Sequence, residues 1–322
     1  MKKRLKRIAV GFLVLVGISL IAPYLIPVPD NGVDASTLPQ AAEGAFVEVD
    51  GIQTFYVERG AQNAQTVLLL HGFGGLTFSW RENIDALAEA GYHVIAFDRP
   101  PYGLTEKRAD MDLSRAAQTD FTVHLMDALH IETAVMVGHS AGGTVIADMA
   151  LRYPERIDGL VFVSGAVGTM SGGPSFMGVL LSFPPITRWG QVVAHYIVTP
   201  EFMANILRGA YRSPNFMTPE IATGYQTPLS VRGWDAAFIG IMRDSGGNFI
   251  DANQLASIDI PTLLVWGQND TWVPLSIGEN LRSIIPGSQI IVYPNVGHLA
   301  MEENPEQFNH DLITFLSTIN PD

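Results

Sequence analysis

The segment Ala134 to Met149, reading AVMVGHSAGGTVIADM, constrains the fold of this chain more than any other stretch. A short apolar run, Ala134 to Val137, meets Gly138-His139-Ser140-Ala141-Gly142 and then a helix-forming segment, the pattern of a strand, a very tight turn and a helix. Ser140 falls at the apex. Gly138 and Gly142 carry no side chain to collide where strand and helix cross so closely. Strained backbone pushes the Ser140 hydroxyl out of the sheet, and the helix beginning beside it aims backbone N–H groups at the same point. The amide of Ala141 can therefore stabilise an oxyanion there. With 31 glycines a Gly-x-Ser-x-Gly match can also arise in an ordinary strand-to-helix turn, so the flanking segments must decide.

Those segments alternate. Phe46 to Val49 and Ile52 to Val57 flank Asp50-Gly51, a two-residue hairpin signal. Thr66 to Leu70, His93 to Phe97, Leu160 to Ser164, Thr262 to Trp266 and Gln289 to Tyr293 are compact, largely apolar runs of the kind buried in a parallel sheet. Ser79 to Ala90, Leu113 to His130 and Pro305 to Ile319 read as helices between or after them. The pattern predicts an α/β fold with a mostly parallel, doubly wound, eight-stranded sheet, whose ligands bind beyond the carboxyl ends of the strands. Phe73, Ser140, Asp270 and His298 each follow such an end.

With GHSAG at the elbow, HGFGG at His71 to Gly75, DRPPYG at Asp98 to Gly103, GQND at Gly267 to Asp270 and PNVGH at Pro294 to His298, the chain resembles the α/β-hydrolase superfamily. The likeness covers about Phe46 to Ile319 and is nearest to the capped serine esterases and lipases, of monoacylglycerol-lipase-like carboxylesterase type. The resemblance implies Ser140 as nucleophile, Asp270 as acid and His298 as base, in the chain order of that fold. It implies an oxyanion hole from the amides of Phe73 and Ala141, and no metal or organic cofactor. It assigns His71 and the Asp98 turn to structure, with Pro101 standing where the family has glycine. Dehalogenases and epoxide hydrolases of this fold use an Asp nucleophile, which Ser140 disfavours. Carbon–carbon bond hydrolases use Ser within GNSMGG and carry Trp after the base; His139, Ala141 and Leu299 depart from both features. Cofactor-free haloperoxidases share the triad, and a membrane-tethered binding protein could keep the fold without turnover.

From Gly165 to Arg243 the alternation stops, and only eight of the residues are charged. This reads as an inserted helical cap, rich in Met and aromatic residues, some of which should line a pocket for a hydrophobic ester. His195 within it reads as a packing or lid residue, and Gly172-Gly173-Pro174 as a place where a lid could bend.

At the other end, Lys2, Lys3, Arg4, Lys6 and Arg7 precede Ile8 to Val28, which contains no charge. At about 1.5 Å per residue such a run can cross a hydrocarbon layer of roughly 30 Å, while Pro23, Pro27 and Pro29 also suit a signal peptide. An uncleaved anchor is the favoured reading, and in either case the body is exported, to periplasm or exterior, and secreted if the segment is cleaved. The net charge of −13 falls to −18 once those five cations are set aside, because 14 basic residues then face 32 acidic ones. A body so acidic should repel nucleic acid. The chain contains no Cys, which leaves no disulfide and no thiolate. The expected organisation is 1–29 anchor or signal, 30–44 linker, 45–164 with 244–322 hydrolase core, and 165–243 cap.

Overall fold

A computed structural model describes residues 2–29, 32–168, 175–244 and 250–319. Eight strands form one sheet: β1 (Ala45–Val49), β2 (Ile52–Arg59), β3 (Thr66–Leu70), β4 (His93–Phe97), β5 (Ala134–His139), β6 (Ile157–Val163), β7 (Thr262–Gly267) and β8 (Gln289–Tyr293). Their spatial order is β1-β2-β4-β3-β5-β6-β7-β8. β2 pairs antiparallel with both β1 and β4, and every pairing from β4 to β8 is parallel. Asp50 and Gly51 both take positive φ, 53° and 71°, as a two-residue hairpin requires.

The helices are α1 (Lys2–Leu25), α2 (Ile84–Glu89), α3 (Arg115–Ala128), α4 (Ala141–Arg152), α5 (Ser175–Leu181), α6 (Pro184–Ile197), α7 (Pro200–Arg208), α8 (Pro219–Gln226), α9 (Trp234–Asp244), α10 (Leu275–Ile284), α11 (Ala300–Glu303) and α12 (Pro305–Leu316). Successive strand side chains point to opposite faces, so the central strands feed two cores. Val67, Leu69, Val135, Val137, Val161 and Val163 pack on one face with Ile84 and Leu87 of α2 and Phe308 and Leu312 of α12. Leu68, Leu70, Met136, Leu160 and Phe162 pack on the other with Phe121 and Leu125 of α3 and Ile146 of α4. Helices α5 to α9 stand between β6 and β7 as the inserted cap. Met170 and Gly172-Gly173-Pro174 lie outside the described residues.

Two local expectations change. Ser79 to Ala90 is not one helix but a 3-10 turn at Thr77–Trp80 followed by the short α2. The Asn83 side chain donates to the Met301 carbonyl and to Asn309, at 3.1 and 2.8 Å, and holds the chain between the two pieces against the C-terminal helices. The Leu113 to His130 helix starts at Arg115, where Ser114 caps it, and stops at Ala128 before His130 takes φ 58°. His124, 2.7 Å from Asp50, and His130 are both exposed. The segment after α1 does not run free: Val33 donates to Ser230 O (2.9 Å) and accepts from Arg232 N (3.0 Å), tying it to the cap.

The middle of the sheet is buried, and Trp266 of β7 is fully buried with its Nε1–H donating to Val273 O at 2.9 Å. Trp266→Ala should cost about 3–5 kcal/mol, since it opens a cavity and strands that carbonyl. Urea unfolding of parent and variant measures the difference.

Candidate active site

Parallel strands bring their carboxyl ends to one edge, and the loops leaving β3, β5, β7 and β8 meet there. Ser140 takes φ 50° and ψ −117°, strained for a non-glycine residue. It is held in place from both sides: its N–H donates to Val163 O of β6, and its carbonyl accepts from the amides of Gly143 and Ala166. A Cβ on Gly142 would stand 2.4 Å from Leu70 O, so only glycine lets α4 leave the elbow this close to β3. Ala141 begins α4, where a backbone amide has no intrahelical acceptor.

The loop after β3 lies against the elbow, since a Cβ on Gly72 would be 2.9 Å from the Ser140 Cβ. Phe73 follows directly, with its side chain 43% exposed at the mouth. His71 shapes this loop: Nδ1 donates to Gly72 O at 2.8 Å and Nε2 accepts from Arg99 N at 3.0 Å. Both bonds need the neutral ring, and burial, with Arg99 beside it, holds its pKa well below the usual histidine value. Asp98 braces the same region by accepting from the amides of Thr77 and Leu104, each at 2.6 Å. Burial raises its pKa against the pull of those amides and Lys107. His71 and Asp98 are thus structural, as the sequence implies.

Asp270 and His298 come together in the interior, 7% and 2% exposed. His298 Nδ1 lies 2.8 Å from Asp270 Oδ2, while Asp270 Oδ1 accepts from the amides of Trp272 (2.8 Å) and Val273 (2.9 Å). An ionised carboxylate can only accept, so Nδ1 carries the proton of this bond. Burial pushes the Asp270 pKa up, but the bond and charge of His298 and the Val273 amide outweigh it and hold the carboxyl below its ordinary value. The two loops are joined by backbone bonds, Gln268 N to Tyr293 O and Asn269 N to Val296 O, both 2.9 Å.

Several residues that the sequence reading passed over hold His298 in place. His139, one residue before Ser140, has Nε2 3.1 Å from the His298 carbonyl and its ring 4.7 Å from the His298 ring. Burial, then the neighbouring His298, pushes its pKa down to about 3, so it stays neutral and donates that bond. Trp272 lies 5.3 Å from the His298 ring and partly covers it. Glu303 Oε1 accepts from Gly297 N (2.9 Å) and Leu299 N (3.4 Å) on either side of His298, and its Oε2 accepts from Arg212 N of the cap (2.8 Å). His298 N itself donates to Ala210 O at 2.8 Å, so the loop after β8 is fastened to the cap. Beside it Glu302 is bonded to Arg81 and Tyr211, both 2.7 Å, and to Tyr225. A pair of acids five residues and fewer past the base, just before Pro305, was the visible signal.

The recess beside His298 is walled by Phe73, Gly75, Ser79 and Leu299 from the core and by Leu207, Ala210 and Tyr225 from the cap, with no charged side chain in its lining. His195 is not part of it and packs on Trp234, ring centroids 6.3 Å apart. Among the described residues no three His, Cys, Asp or Glu side chains are grouped to hold a metal ion.

Sheet order, elbow and loop positions define a class, and sequence comparison agrees: the model of the family described as alpha/beta hydrolase fold matches residues 65–305. The chain belongs to that family. A 2-hydroxy-6-oxononadienedioate/2-hydroxy-6-oxononatrienedioate hydrolase of Paraburkholderia phymatum is 31% identical over 299 residues, 88% of this chain and 99% of the relative. A solved meta-cleavage product hydrolase, CumD of Pseudomonas fluorescens, is 27% identical with TM-score 0.70, over 86% of this chain and 98% of that one. Est816, described as an N-acyl homoserine lactone degrading enzyme, is 26% identical with TM-score 0.65, over 84% and 99%. The protein is therefore a hydrolase by family.

Glu303 supplies a test of this packing. Burial raises its carboxyl from 4.5 to about 7, against the pull of the three backbone amides. Between those values the unfolded chain has lost a proton that the folded carboxyl keeps, so this residue makes the fold less stable as pH rises through the window. Glu303→Gln should flatten that fall, seen as a parent-minus-variant stability difference that changes between pH 4.5 and 7 and is constant above it.

Proposed function

We propose that this chain is a serine hydrolase cleaving carboxylic esters with hydrophobic acyl groups. The observation that carries the reading is the buried Asp270–His298 pair, tied through the His298 carbonyl to His139, the residue before a Ser140 held at φ 50° on the elbow. In this reading neutral His298 takes the Ser140 proton through Nε2 as Oγ attacks the ester carbonyl. Asp270 keeps the tautomer and stabilises the imidazolium. The amides of Phe73 and Ala141 hold the oxyanion. His298 then protonates the leaving alcohol, water enters, and the same groups run in reverse to release the acid. The reaction asks nothing of a cofactor.

Carbon–carbon bond hydrolysis is the second reading, and the relatives favour it. The substrate in the P. phymatum relative's name is a dicarboxylate, which needs cations to receive it. No Lys or Arg lines the described recess, where Leu299 follows the base and His139 precedes the nucleophile. The lactone named for Est816 is itself a cyclic ester, which supports the first reading.

We read α1 as an uncleaved anchor that leaves the hydrolase body on the non-cytoplasmic side. Its positive end, Lys2 to Arg7, stays inside.

Steady-state hydrolysis of chromogenic esters of rising acyl length, beside a 2-hydroxy-6-oxo-dienoate, separates the two chemistries. Ser140→Ala should lower kcat by about 10⁴-fold or more, and Asp270→Asn by about 10⁴-fold with KM little changed. Turnover of the dienoate alone would favour the second reading.

A further inference from the structure

Helix α1 is docked on the cap. Pro23 has no N–H, so the Ser19 carbonyl one turn back loses its helical partner. Trp189 of α6 replaces it, Nε1 donating to Ser19 O at 2.9 Å. Arg188 donates to Pro23 O (3.2 Å) and Ile26 O (3.1 Å), the carbonyls that a helix end leaves open, with a cation where the helix dipole favours one. Tyr196 Oη donates to Pro27 O at 3.2 Å. These four bonds place α6 alongside the last turns of α1.

That position fixes a depth, given the anchor reading proposed above. With Arg7 at the inner boundary, a hydrocarbon layer of roughly 30 Å ends near Pro27, and Ser19 then lies about 12 Å inside the outer boundary. Whatever touches Ser19 shares that depth. The surface of the cap agrees. Val193, Tyr196 and Ile197, spaced to share one face of α6, are each at least half exposed, while Val192 and Ala194 are buried. Phe202 and Ile206 on α7 and Val179 on α5 add exposed apolar side chains, and from Trp189 to Pro200 the chain has no Asp, Glu, Lys or Arg. A soluble cap would have no reason to leave this face bare.

We propose that the face formed by α5, α6 and α7 is inserted in the outer leaflet of the bilayer that α1 spans, so that the cap and the anchor form one membrane-bound unit. The partner is the lipid bilayer itself, recognised by apolar area rather than by charge, because the body of the chain is strongly acidic. The ester of the proposed reaction would then reach the cap from lipid.

The chain has no Cys, so single cysteines can be introduced and spin-labelled without background. The full chain, reconstituted in phosphatidylcholine vesicles, would carry the label at Val193→Cys, Ile197→Cys or Ile206→Cys, with Leu13→Cys in α1 and Ser283→Cys on the exposed core as references. Collision with oxygen reports lipid, and collision with a water-soluble nickel chelate reports solvent. The three cap labels should show an oxygen-to-nickel ratio several-fold above that of Ser283→Cys and approaching that of Leu13→Cys. Cap labels matching Ser283→Cys while Leu13→Cys reports lipid would overturn the inserted cap and leave the anchor standing. An aqueous Leu13→Cys would overturn both. The labels report position, so neither result depends on which substrate is hydrolysed.

Discussion

The hydrogen bond between Asp270 and His298 is the contact around which the rest is arranged. A carboxylate this deeply placed is costly unless its oxygens are satisfied. Here every contact is supplied: Oδ2 by the imidazole, Oδ1 by two amides of its own turn. The loops that carry the pair come from neighbouring parallel strands, and β7 and β8 in register bring them side by side. Backbone bonds between the loops then remove most of the freedom that would otherwise blur the geometry. Preorganisation of this kind lets a base act without first being assembled.

His298 is also the point where core and cap meet. His139 holds the carbonyl of His298, Ala210 holds its amide, and Glu303 holds the amides on both sides. Since Ala210 and Arg212 belong to the cap, this part of the cap is fixed relative to the base. Glu302, with Arg81, Tyr211 and Tyr225, adds a second polar tie a few residues away. At the cap's other side, α6 is fastened to α1. The cap therefore bridges the proposed site and the N-terminal helix.

One family scaffold serves relatives named for substrates as different as a 2-hydroxy-6-oxo-dienedioate and an N-acyl homoserine lactone. What differs between such chemistries is the wall around the nucleophile, not the sheet that carries it. In this chain the wall near His298 is apolar and aromatic, with Leu299 after the base.

The sequence by itself determined the apolar strands of a mostly parallel sheet, the hairpin at Asp50-Gly51, the elbow at Ser140 and the four loops of the candidate site. These are local signals: apolar runs, glycines at close crossings and loop residues a few positions past a strand. It also marked His71 and Asp98 as structural, which their hydrogen bonds explain. Only the tertiary structure decided the rest. The break at Asn83 depends on Met301 and Asn309, more than two hundred residues on. The roles of His139 and Glu303 depend on backbone amides and carbonyls, which carry no residue-type signature. The docking of α6 on α1 depends on a carbonyl that Pro23 leaves open and on a Trp brought to it from the cap. Short-range pattern sets which elements form, whereas the partners of buried polar groups are chosen by packing across the whole chain.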